Sequence, residues 1–123
     1  MNNRDKENIL KEKLKQALVS TARVISEDFK NKNSTDDNNS KEFDILNLES
    51  INSKSNFIKA RAEFDSAALK KKFSNKEIFK QNLPVNSSCK SLYSIAEKIR
   101  YECLGSKMLK GIEKNLKENY RQI

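Results

Sequence analysis

The sequence predicts an all-α protein, a small bundle of four or five helices with a disordered or loosely docked Asn/Ser-rich insert. Apolar residues recur at three-to-four spacing over most of its length, the period of a helix face. One stretch, residues 31–56, breaks that rhythm, and twelve of its 26 residues are Asn or Ser. Hydrophobic residues make up only 36% of the chain against 34% charged. That is thin for a tightly packed globule, so part of the chain is expected to be disordered or to meet a partner. The expected organisation is an N-terminal amphipathic helix (1–30), a polar linker or insert (31–56) and a helical body (57–123).

The first helix is expected over 5–30. Ile9/Leu10, Leu14, Ala17/Leu18, Ala22, Val24/Ile25 and Phe29 line one face, with Lys11, Lys13, Lys15, Arg23 and Glu27 opposite. Mixed charge and the absence of Trp favour a packing helix over a membrane-surface one. Within the insert, residues 43–51 are apolar enough to dock on the helical body, although so short a run does not declare strand or helix. A second helix is expected over 57–73, with Ile58, Ala62, Asp65, Ala68/Leu69 and Phe73 on a broad face. Lys70, Lys71 and Lys72 at its end complement the negative end of the helix dipole, which explains the run without a ligand. Asn75 can cap a short third helix that stops near Pro84.

The fourth helix is expected over 87–104, capped by Ser87 or Ser88, with an apolar stripe of Leu92, Ile95/Ala96, Ile99 and Cys103. On such a stripe Cys103 reads as a small buried thiol. A second stripe, Leu104, Met108, Ile112, Leu116 and Tyr120, steps by four, and the phase slips near Gly105. Either one helix bends there or two helices meet. Gly105 and Gly111 are the only glycines in the chain. Each costs roughly 1 kcal/mol against Ala inside a helix. Both falling in this segment predicts close backbone approach or a kink.

The net charge is +8, and residues 57–123 carry most of it, with fifteen bases against seven acids. Such a body can attract an acidic partner. The bases are 20 Lys and only 5 Arg, alongside 15 Asn, a mix that nucleotide bias in a genome produces without selection for nucleic acid. Arg is the better reader of phosphates and bases, so nucleic acid is not an expected partner. There is no His, and Cys89 and Cys103 have no metal-ligand spacing, which argues against a zinc site and removes the commonest general base. No Gly-rich phosphate loop is present. Catalytic, cofactor-binding and metal-binding residues are therefore expected to be absent. No apolar stretch is long enough to cross a bilayer, no signal sequence follows the charged N-terminus, and cytoplasm is the expected location.

Two polar constellations stand out. Arg61 and Asp65 lie four apart on one helix face, fit for an intrahelical pair. Alternatively Asp65 turns inward to a base elsewhere, for instance Arg100. Glu97 and Arg100 are i, i+3 neighbours, while Glu102 points elsewhere. A helix surface without a pocket is a poor place for paired-carboxylate catalysis, so these five residues are read as a structural or partner-facing ion network.

Arg61-Ala62-Glu63-Phe64-Asp65 followed by Ala68-Leu69 resembles the R-G-x-A-D…A-L signature in the N-terminal region of the T subunit of aerobic cobaltochelatase (CobT). Glu97-x-x-Arg100-x-Glu102-x-Leu104-Gly105, then Met108-x-x-Gly111 and Asn115-Leu116, is similar to that family's E-x-x-R-x-E-A-L-G-x-x-x-M-x-G-V-x-x-N-L run. Leu83-Pro84 falls where the family has a Pro before its next helix. The order of the blocks and the Gly105-to-Leu116 spacing agree over about residues 57–116, Met108 falling one residue before the family's Met. Ala62 stands in place of the family's Gly, and the stretch after the first block lacks the family's histidines.

The resemblance implies a scaffold without catalytic residues of its own. It would assemble with a CobS-like AAA+ ATPase subunit, and through it with the large chelatase subunit, in an ATP-dependent cobaltochelatase, a ligase forming nitrogen–metal bonds. ATP, magnesium and cobalt would be handled by those partners or by the family's C-terminal von Willebrand factor A-type domain. The family's greater length implies that this chain is a fragment, a truncated reading frame or a reduced paralogue. The function expected from this reading is that of an N-terminal module scaffolding the ATPase for cobalt insertion into a corrin ring. The ion network would be Arg61, Asp65, Glu97, Arg100 and Glu102, with Gly105 and Gly111 allowing close helix packing. The alternative is a small basic helical nucleic-acid-associated protein, whose affinity would fall steeply with salt.

Overall fold

The computed structural model describes residues 2–26 and 53–123. Among them are five helices and no strand: α1 (Asn3–Ile25), α2 (Lys54–Phe73), α3 (Lys76–Gln81), α4 (Ser87–Met108) and α5 (Lys110–Arg121). The all-α expectation holds. Residues 31–52 of the expected insert, with the expected docking of residues 43–51, lie outside the described residues, as do residues 27–30 of the expected first helix; residues 53–56 are described and open α2 instead.

The first four helices begin where a short polar side chain meets otherwise unpartnered N–H groups, whereas α5 starts at Leu109 without a side-chain cap. At α1 the Asp5 carboxylate accepts from the Asn2 backbone N–H at 3.4 Å. Ser53 caps α2, its Oγ accepting from the Asn56 N–H at 3.2 Å, which starts that helix three residues earlier than periodicity suggests. Asn75 caps α3, accepting from Glu77 and Ile78. At α4 the cap is Asn86 rather than either serine, with Oδ1 accepting from Ser88 at 2.9 Å and Cys89 at 3.4 Å.

The phase slip resolves into two helices. The break falls at Leu109, not at Gly105. Leu109 takes extended backbone (φ −136, ψ 121) and is at once the end of α4 and the start of α5. Its N–H donates to the Gly105 carbonyl at 3.0 Å, and its carbonyl accepts from Glu113 N–H at 3.3 Å.

Helix α2 is the centre of the bundle. It packs against α1, α4 and α5, while α4 packs against α5. Ala60, Ala62, Ser66 and Ala68 are small enough to let three neighbours approach, and all four are buried. Between them Phe64 and Leu69 are the largest fully buried side chains. Burying each contributes about 1.5–3 kcal/mol. Leu18, Ala22 and Ile25 of α1, Tyr101 of α4, and Ile112 and Leu116 of α5 close the core around them. Only the second half of α1 joins it, since residues 2–10 are all exposed. Helix α3 leans on α4 through the Phe79 and Tyr93 rings, with centroids 5.0 Å apart.

One expectation is overturned. The Leu92, Ile95/Ala96, Ile99 and Cys103 stripe of α4 does not face the core, and Cys103 is an exposed thiol. Helix α4 presents Tyr101, Glu102 and Gly105 to its neighbours instead. At 100° per residue these three centre well over 90° from the Leu92–Ile99 stripe. The rotation follows from Gly105, which sits against Leu69, and from Glu102, whose buried hydrogen bonds pin the helix. On the second stripe Ile112 and Leu116 are buried, but Leu104, Met108 and Tyr120 stay substantially exposed.

Candidate functional site

The five residues of the expected ion network do not form one network. They sit in three polar clusters, each tying α2 to the C-terminal helices.

The first joins α2 to α5. Asp65 is buried at 4% exposure, and Asn115 Nδ2 donates to its Oδ2 at 2.7 Å. The amide's other end, Oδ1, accepts from Arg61. Asn115 thus stands between the two residues that the sequence pairs directly. Arg61 also lies 3.9 Å from Glu118 and over the Phe57 ring at 5.7 Å. Burial pushes the Asp65 carboxyl above its ordinary value, while the Asn115 hydrogen bond and the Arg61 charge oppose the shift. The residue's alternative partner, Arg100, is engaged elsewhere.

That engagement is the second cluster. Arg100 Nε and NH2 donate to the two carboxylate oxygens of Glu97 at 3.0 and 2.6 Å, and NH2 also donates to the Phe73 carbonyl at 2.7 Å. The guanidinium therefore caps the C-terminus of α2 from α4. The Arg100 hydrogen bonds hold the Glu97 carboxyl below its ordinary 4.5. Its contribution is present above that value and fades as pH falls through the lowered one.

Glu102 forms the third and spans three helices. Ser66 Oγ of α2 donates to Oε1 at 2.6 Å, and Tyr120 OH of α5 donates to Oε2 at 2.6 Å. Lys98 Nζ approaches at 3.9 Å from one turn away. An open groove of about 270 Å³ runs over this cluster, edged by Lys70, Lys98 and Asn119. Burial, then the hydrogen bond and charge of Glu102, push the Tyr120 phenol up to about 12. The raised value means that this bond stabilises the fold below pH 10 and is lost as pH rises towards 12. Absorbance titration at 295 nm should show a late tyrosinate component near 12 that loses one tyrosine's amplitude in Tyr120→Phe, Tyr101 keeping the rise that its own burial gives it, and that Glu102→Gln moves towards 10. A late step unchanged by Tyr120→Phe would contradict this geometry.

The two glycines part company. A Cβ built on Gly105 would meet both methyls of Leu69 and come within 2.8 Å of its Cγ. On Gly111 it would meet nothing within 4 Å, so Gly111 does not serve close packing. Ser66, Asn115 and Tyr120 are the partners that spacing rules miss. Asn115 had a signal, since it lies in the second family-like block, whereas Tyr120 reads as apolar on a stripe. Among the described residues no buried side-chain polar atom lacks a hydrogen-bond partner. Nor does any group of three or more Cys, Asp or Glu there suit a metal ion. No helix among them is long and apolar enough to cross a membrane.

A family model described as cobalamin biosynthesis protein CobT matches residues 10–122. No curated protein and no solved structure matches the chain.

Proposed function

Because the chain belongs to the family of cobalamin biosynthesis protein CobT, we propose that it is a non-catalytic module of the cobaltochelatase T subunit that scaffolds an AAA+ ATPase partner for ATP-driven cobalt insertion into a corrin ring. One observation supports the scaffold role above others. The acids of the two family-like blocks that come together in space are engaged with other side chains of the bundle, Asp65 and Glu102 in buried positions and Glu97 at the surface. Asp65 holds Asn115, Glu97 holds Arg100, and Glu102 holds Ser66 and Tyr120. Groups so engaged fix how α2, α4 and α5 sit together and are not aimed at a reactant. On this reading ATP, magnesium and cobalt belong to partner subunits.

The test is a pull-down of the tagged full chain against the AAA+ ATPase subunit of the same organism, with ATP and magnesium at physiological salt. Stoichiometric binding that survives a doubling of the salt is the expected result. No ATPase binding by a chain that is helical by circular dichroism would sink the reading. Duplex DNA serves as the second probe. Affinity falling with a log–log salt slope of about −0.9 per phosphate contacted would instead favour the nucleic-acid alternative.

A further inference from the structure

Among the described residues, the exposed stripe of α4 is a contiguous apolar row that the bundle does not cover. Leu92, Ile95 and Ile99 are 67%, 55% and 55% exposed, and Cys103 continues the line. Single exposed apolar residues are ordinary, but a contiguous row three helical turns long marks an interaction surface. The spacing i, i+3, i+7 and i+11 is the one by which a helix receives another helix along a seam. The bundle leaves this row open because α4 already buries its opposite side against α2 and α5.

Charge narrows the occupant. At 100° per residue, Lys98 borders the stripe on one side and Arg100 and Lys107 run along the other. The acids of α4 are Glu97 and Glu102, whose side chains are only 20% and 8% exposed and whose carboxylates are engaged with Arg100, Ser66 and Tyr120. Arg100 and Lys98 are the ion-pair partners of those two acids, so the unmatched charge beside the seam is Lys107, on a helix of four bases and two acids within a chain of net charge +8. A second copy would set the same bases against one another, which disfavours self-association. We propose that the Leu92–Ile95–Ile99–Cys103 face of α4 is the docking surface for an amphipathic helix of a partner protein, apolar along its seam and lined by Asp and Glu at its flanks. The proposal deepens the scaffold reading and rests on it for the identification of that partner with the ATPase subunit.

The experiment measures binding of two probes to the full chain. One is the AAA+ ATPase subunit. The other is a synthetic helical peptide with Leu at its seam and Glu at its flanks. Both should bind the wild type, the peptide weakening as salt rises. A chain carrying Ile95→Glu and Ile99→Glu should lose at least about tenfold in affinity for each. Both sites are solvent-exposed, and circular dichroism checks that the variant remains folded. Ile78→Glu, at an equally exposed apolar residue of α3, should change neither by more than about twofold. A peptide with Lys flanks should bind at least about tenfold more weakly.

ATPase binding that the α4 double variant leaves intact overturns the surface and leaves the scaffold reading standing. Peptide binding through the stripe without ATPase binding does the reverse. A wild-type dimer that the α4 variant converts to monomer gives the stripe to a second copy and overturns the partner. Peptide binding that appears only in a Leu46→Asp, Leu48→Asp chain gives it to the chain's own residues 43–51, with the same consequence.

Discussion

Gly105→Leu will cost about 3 kcal/mol or more, the upper range for forcing extra atoms into a filled core. At roughly 3–6 °C per kcal/mol for a chain of this length, the melting temperature followed by circular dichroism should fall by about 9 °C or more. The cause is local. Leu69 is fully buried, so the side chain that a Cβ at Gly105 would strike has no free space to move into. Lys110→Leu, at an exposed position, should stay within about 0.5 kcal/mol of the wild type. The mechanism can be separated from helix propensity. Gly105→Ala should destabilise the wild type, yet in a Leu69→Ala background it should be neutral or stabilising by up to roughly 1 kcal/mol, because only the propensity gain remains. Equal melting temperatures for Gly105→Leu and Lys110→Leu would sink the close-approach reading.

Asn115→Leu should be the second most damaging change, costing about 1–3 kcal/mol at neutral pH. It leaves the Asp65 carboxylate buried at 4% exposure without its donor, and Arg61 without the amide that relays its charge. The pH dependence follows from the direction of the Asp65 shift. Its folded value already lies above 3.8, and loss of the Asn115 bond removes the larger of the two lowering influences and raises it further. The protonated form is then favoured by folding, so the deficit is largest once Asp65 is ionised and shrinks as pH falls back through its raised value. Denaturant titrations at pH 7 and near pH 4 should show the gap closing. Replacing Asp65 and Asn115 together with Leu should cost less than Asn115→Leu alone, since no orphaned charge remains. A gap that does not change with pH would mean that Asp65 is not the group involved.

The helix positions were legible because their signals are local. Three-to-four spacing located α1, α2 and α5, and Asn75 marked α3 by its own side chain. The rotation of α4 was not legible. A hydrophobicity pattern favours Leu92, Ile95 and Ile99 over Tyr101, Glu102 and Gly105, yet packing chose the latter. Glycine contributes no apolar surface of its own, and its value appears only when a residue such as Leu69 stands opposite. Phe64 was also missed as core, because α2 is buried on several sides and no single stripe describes it. In the candidate site, the five charged residues were legible from charge and block resemblance. Their partners were not, since Ser66 and Glu102 lie 36 residues apart and Asp65 and Asn115 lie 50 apart.

Leu109 carries a mechanical consequence. A single residue outside helical conformation joins α4 to α5, so two torsion angles set the elbow between them. There is no slack loop to absorb a pull. Glu102 and Tyr120 brace the elbow like a strut, from one arm to the other. Force applied along α4 would therefore pass to α5 as a rotation of the whole arm, and with it to the central helix that both arms grip.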